Sequence, residues 1–90
     1  MKTPRQILID ARKLIEKPEN HTRYVFNDHG RFCSLGAIRH VCHPQDNPLL
    51  HGATVEVLQK EMKGSVVAFN DTHTHPEVLA AFDRAIASLT

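Results

Sequence analysis

Tryptophan is absent from this 90-residue chain, and aromatic residues make up only 6% of it. No platform of stacked rings of the kind that holds single-stranded nucleic acid is evident. There are two cysteines, Cys33 and Cys42, too few for the disulfide framework of a small secreted domain. With no export signal ahead of the first amphipathic stretch, both are expected to be reduced thiols in a cytoplasmic protein. No uninterrupted apolar run exceeds five residues, which excludes a helical membrane span. The glycines, four in all, form no cofactor fingerprint. The length allows one hydrophobic core, so residues 1–90 are expected to form a single domain.

What is present looks globular: 41% hydrophobic and 23% charged residues. The formal net charge of +1 conceals an uneven distribution. Residues 1–45 carry eight Lys/Arg against four Asp/Glu, and residues 46–90 carry three against six. That asymmetry suits a charged partner but falls short of a nucleic-acid footprint. There are seven histidines, many for this length, so surface charge is expected to rise steeply below about pH 6.

The pattern predicts a mainly α domain of about four helices. Thr3, Pro4 and Gln6 have the spacing of a capping box, and Ile7, Leu8, Ala11, Leu14 and Ile15 form one apolar stripe ending before Pro18. Arg12 and Glu16 are spaced to pair on its wet side. Tyr24–Phe26 is short and β-prone, and 27–30 has the composition of a turn, with Gly30 needing positive φ. A two-residue hairpin is not demanded. A short, deeply buried helix follows from Phe32 to Val41, where Ser34, Gly36 and Ala37 would let another helix approach. Asn47-Pro48 opens a third helix to Met62, with Leu50, Ala53, Val57 and Met62 as its buried side. Val66–Phe69 reads equally as a strand or as one helical turn. Thr74 and Glu77 form a second capping box, leading the stripe Val78, Leu79, Phe82, Ala85, Ile86 and Leu89. The tripeptide Phe-Asn-Asp occurs at 26–28 and again at 69–71, a hint of two similar halves.

Three chemistries compete with packing as the role of these residues. Zinc needs about four N/S/O ligands, and Cys33, His40, Cys42, His43, His73 and His75 offer the right atoms without the spacing of a known finger or ribbon. Cys33 lies at a helix N-terminus, where a thiolate is favoured; His73 or His75 would be its base and Asn70 or Asp71 the orienting group. Against this, Cys33 between apolar neighbours reads as a small core residue. Asn70 and Asp71 read as turn residues that accept backbone N–H bonds and fix the start of the last helix. Arg5, Arg12, Lys13, Lys17, Arg23, Arg31 and Arg39 could contact phosphates, but interspersed Glu16, Glu19 and Asp28 make a solvated face the simpler explanation.

Ala11–Glu16, Gly30, Cys33–Ile38, Phe69-Asn70-Asp71, Thr74, Glu77–Leu79 and Asp83–Ile86 form an ordered set over nearly the whole chain. In this set the protein resembles a family of small uncharacterised proteins of bacteria and their phages, known only as a domain of unknown function. That pattern often carries Trp where this chain has His21, Phe32 or Phe69. The resemblance implies a compact helical unit and no catalytic assignment; small phage proteins of this kind are often inhibitors or adaptors of host machinery.

The leading expectation is a non-enzymatic binding module that regulates or inhibits a protein partner, with no cofactor and no membrane contact. Homodimerisation through the third helix is a further expectation. The runner-up is a thiol enzyme or zinc protein built on Cys33 with Asn70, Asp71, His73 or His75, the zinc set including Cys42 and His43. Nucleic-acid binding comes third. Thr3, Gly30, Cys33, Gly36, Asn70, Asp71, Thr74 and Glu77 are assigned structural roles.

Overall fold

Every α-helix in the computed structural model, which describes residues 2–89, starts on a side chain that accepts a hydrogen bond from its own first turn. Thr3 opens α1 (Pro4–Ile15), Cys33 opens α2 (Ser34–Val41) and Asn47 opens α3 (Pro48–Met62). Ser65 opens α4 (Val66–Thr72), and Thr74 opens α5 (His75–Ala87). Each cap satisfies a donor that the helix itself cannot, worth about 0.5–2 kcal/mol for the Thr, Asn and Ser caps and less for the weakly accepting Cys33 sulfur. Only Thr74 and Glu77 complete a reciprocal box. At the first helix Gln6 turns its amide to Asp10 instead (2.9 Å), so the box expected there is half formed.

Among the described residues there are five α-helices where about four helices are expected, because 66–72 is helical; a single 3-10 turn, Pro18–Asn20, follows α1. Val66 and Val67 are β-branched and locally strand-prone. The Ser65 cap and burial of Val66 in the core prevail. The only strands among the described residues are β1 (Asn27–Asp28) and β2 (Arg31–Phe32), an antiparallel pair. They are joined by a tight two-residue turn with His29 and Gly30 both at positive φ, 52° and 83°. A hairpin turn of that hand matches strand twist. Tyr24–Phe26, the segment expected to be β-prone, is exposed loop. The repeated tripeptide thus stands once at a strand and once inside a helix, and marks no duplicated unit.

The buried residues form one cluster, in which Ile7, Leu8 and Ile15 of α1 meet Ile38 of α2, Leu58 of α3 and Val78 and Phe82 of α5. α1 packs on α2, α3 and α5, so it shares the centre that was expected for α2 alone. In α3 the inward row is Leu50, Thr54, Leu58 and Met62, whereas Ala53 is exposed. Thr54 is tolerated in the core because its hydroxyl donates to the Leu50 carbonyl (2.8 Å). Arg12 does pair with Glu16 (3.0 Å), but its Nε also reaches Asp83 (2.7 Å) and ties α1 to α5.

The close approach that the small residues of α2 permit is made by a loop and not by a helix. A Cβ built on Gly36 would collide with the backbone of Phe26, so the 22–26 loop lies directly on the α2 surface. Gly36→Ala is therefore expected to push the loop off α2 and to cost about 1–3 kcal/mol in urea denaturation. Unchanged stability would show that the contact yields without penalty.

Candidate functional site

The side chain of Asn70 is completely buried, yet it makes more hydrogen bonds than any other polar group in the core. Its Oδ1 accepts from the Ser34 backbone N–H (2.9 Å), from the Ser34 hydroxyl (2.7 Å) and from Nε2 of His21 (2.7 Å). Its Nδ2 donates to the Thr22 carbonyl (3.0 Å) and to Asp71 (3.2 Å). The Ser34 N–H can only donate, which fixes the facing Asn70 atom as oxygen and requires a proton on His21 Nε2. Burial lowers the His21 pKa; the Asn70 bond opposes the shift and the neighbouring His75 adds to it. His21 is therefore a neutral donor.

This carboxamide joins three segments far apart in sequence: α4, the N-terminus of α2 and the 21–22 stretch. Thr22 continues the connection by donating to the Phe32 carbonyl (3.0 Å). Next along the chain, Asp71 accepts the backbone N–H of Tyr24 (3.0 Å), and Arg23 donates to the His73 carbonyl (2.6 Å). Tyr24 is thereby held at φ 70°, in a region that bulky residues rarely occupy. Its side chain is 78% exposed, and Val25 and Phe26 beside it are also exposed. Arg39 of α2 lies over the Phe26 ring, 4.6 Å from its centroid. The loop lines a cleft of about 130 Å³ with Tyr24, Val25 and Phe26, and Cys33, Val67 and Asp71 complete its lining.

The geometry separates the residues proposed for thiol chemistry. Cys33 is 3% exposed, and its sulfur accepts the Gly36 N–H (3.3 Å) as the α2 cap. Burial raises its pKa, and the Asp71 carboxylate adds to the rise against the N–H bonds from Gly36 and Leu35. The thiol form is thus favoured where a nucleophile would need the thiolate. His73 stacks on Phe69 (3.6 Å between centroids) and donates to the Phe69 carbonyl. His75 donates to the Ile15 carbonyl (2.7 Å). Among the described residues no imidazole hydrogen-bonds the Cys33 sulfur, and no three His, Cys, Asp or Glu side chains gather in a way that could hold a metal. Cys42 is buried at the end of α2, while His43 is exposed in the next loop.

Two assignments change. Asn70 and Asp71 do not fix the start of α5, which Thr74 and Glu77 do; they bind the other half of the chain. His21, which in the sequence stands only where the family pattern often carries Trp, is a partner in the central network.

A sequence model described as a family of unknown function (DUF6197) matches residues 1–88. The chain belongs to that family. No curated protein and no solved structure matches it. What this family member offers for function is accordingly its own surface and its own network.

The sign of one pH effect follows from His21. Its folded pKa lies below the ordinary 6.5, so between the two values the unfolded chain binds the extra proton. Stability is full above about pH 6.5 and falls as pH drops through that window. Thermal unfolding scanned from pH 8 to 5 is expected to show this loss, with a shallower slope in His21→Gln, whose amide keeps a donor but does not titrate. Equal slopes would remove His21 as the cause.

Proposed function

We propose that this protein is a cytoplasmic, non-enzymatic binding module that regulates or inhibits a protein partner, and that the partner meets the Tyr24–Phe26 loop. The observation that carries this reading is the combination of exposure with restraint at Tyr24. Two aromatic residues and an aliphatic one face solvent, while the backbone beneath them is fixed by Asp71, by the Arg23 bond and by contact with Gly36. Holding a bulky residue at positive φ costs about 1–3 kcal/mol, and such strain tends to persist where it serves a site. A loop ordered in advance loses little entropy on binding, and Tyr, Phe and Arg are residues that anchor interfaces well. A bacterial or phage regulator, as the resemblance implies, needs nothing beyond such a surface.

The thiol and zinc alternatives draw no support from the capped, buried sulfur and the separated histidines. The basic residues of the first half are partly engaged within the protein, Arg12 by Glu16 and Asp83 and Arg31 by Asp28, which weakens the nucleic-acid alternative.

A photo-crosslinking amino acid placed at Tyr24, and separately at Lys60 on α3, tests the proposal in cells that carry the gene. Position 24 is expected to give a discrete adduct that excess unlabelled protein competes away, and position 60 is not. The same adducts from both positions, or none from position 24, would contradict it.

A further inference from the structure

A second cleft, of about 210 Å³, lies where Phe26 and the hairpin meet α2. Phe26 lines both clefts, so the two adjoin at this residue. Their chemistry differs. The first is walled mostly by apolar side chains. The second also has apolar walls in Phe26 and Phe32, but adds the side chains of Arg39, His40 and His43 and no carboxylate.

The donors of the second cleft are unspent. Arg39 has its guanidinium on the Phe26 ring and no carboxylate partner among the described residues. His43 uses Nδ1 to accept the Gln45 N–H (3.2 Å), which leaves the proton on Nε2 free to donate. His40 lies tilted against the Phe32 ring (4.9 Å between centroids, 44° between planes), and its ring nitrogens meet no acceptor among the described residues. The contrast with Arg31 is direct: that guanidinium lies on Asp28, which also takes His29. A guanidinium, an imidazole N–H and a second imidazole around one opening, with no acid to answer them, are complementary to an anion.

From this juxtaposition we propose that the partner's contact segment is an acidic peptide that places a large apolar side chain in the cleft beside Tyr24 and a carboxylate in the cleft beside Arg39. The proposal rests on the Tyr24–Phe26 loop being the interface. A protein carboxylate fits better than a nucleic-acid backbone. The donors Arg39, His40 and His43 share one cleft, the neighbouring cleft sets Val25 and Val67 beside Tyr24 and Phe26 as a pocket suited to an apolar side chain, and the net charge of the chain is only +1.

Selection of a random displayed peptide library on the immobilised protein tests this, with the folding of each variant checked by circular dichroism. Peptides carrying Asp or Glu near a bulky apolar residue are expected to be enriched. Arg39→Glu is expected to weaken them about tenfold or more, and Tyr24→Ser to weaken them too. Arg39→Lys, which keeps the charge, is expected to retain much of the binding; complete loss in that variant would mean that the arginine acts by packing, against the proposal. Enriched peptides that need Tyr24 but lack acidic residues, or that ignore Arg39→Glu, would overturn the acidic-peptide proposal and leave the loop as an interface. Enrichment indifferent to both positions would overturn both readings. Binding of a single-stranded oligonucleotide that Arg39→Glu abolishes, with no acidic peptide enriched, would assign the cleft to phosphate and overturn the proposal.

Discussion

One buried amide oxygen, Oδ1 of Asn70, organises the half of the molecule that faces outward. It receives three hydrogen bonds of 2.7–2.9 Å in a place where water cannot substitute for it. A buried donor left without a partner costs about 1–3 kcal/mol, against a total stability of about 5–15 kcal/mol for a domain. The hydrophobic cluster of α1, α2, α3 and α5 holds the fold together in bulk and without direction. It is the Asn70 carboxamide that specifies where the 21–22 stretch must lie. From there the chain is led outward: Asp71 takes the next backbone N–H, Gly36 accepts the contact of Phe26, and Arg39 covers the ring.

The same constraints hold Cys33 away from the thiolate form that a nucleophile needs. Cys33 adjoins the cleft, yet its sulfur caps a helix and burial keeps its proton in place. The histidines nearest in sequence to Asn70 are committed to carbonyls, and the one that touches it, His21, is a neutral donor to an amide oxygen already shared with Ser34. Facing water are a restrained aromatic loop, the apolar cleft that it lines, and the side chains of Arg39, His40 and His43 in an adjoining cleft.

How much of this the sequence discloses follows the range of each interaction. α1 and α5 are legible because their caps and stripes lie within a few turns of one another. α4 is not, since a window of five residues carries no period and Val66-Val67 favours the wrong state locally. The inward row of α3 is obscured by Thr54, a polar residue whose hydroxyl is satisfied within its own helix. The hairpin turn lacks the Asn-Gly or Asp-Gly pair that usually marks it; His29 occupies a positive-φ position more common for those residues. The Asn70 network is illegible for a different reason: its partners lie 36 to 49 residues away, and no local rule reaches that far. The exposed loop did leave a sign, three consecutive apolar residues at 24–26 in a stretch that otherwise reads as a connection.

Whether the Asn70 carboxamide fixes the outward-facing loop while the apolar core stands independently is decided by amide hydrogen exchange on the wild type and Asn70→Ala. Protected Ser34 and Tyr24 amides are expected in the wild type. In the variant, both should exchange much faster, while the amides of Leu58 in α3 and Phe82 in α5 stay protected. Unchanged protection at Ser34 and Tyr24, or an equal loss at all four amides, would contradict this role of Asn70.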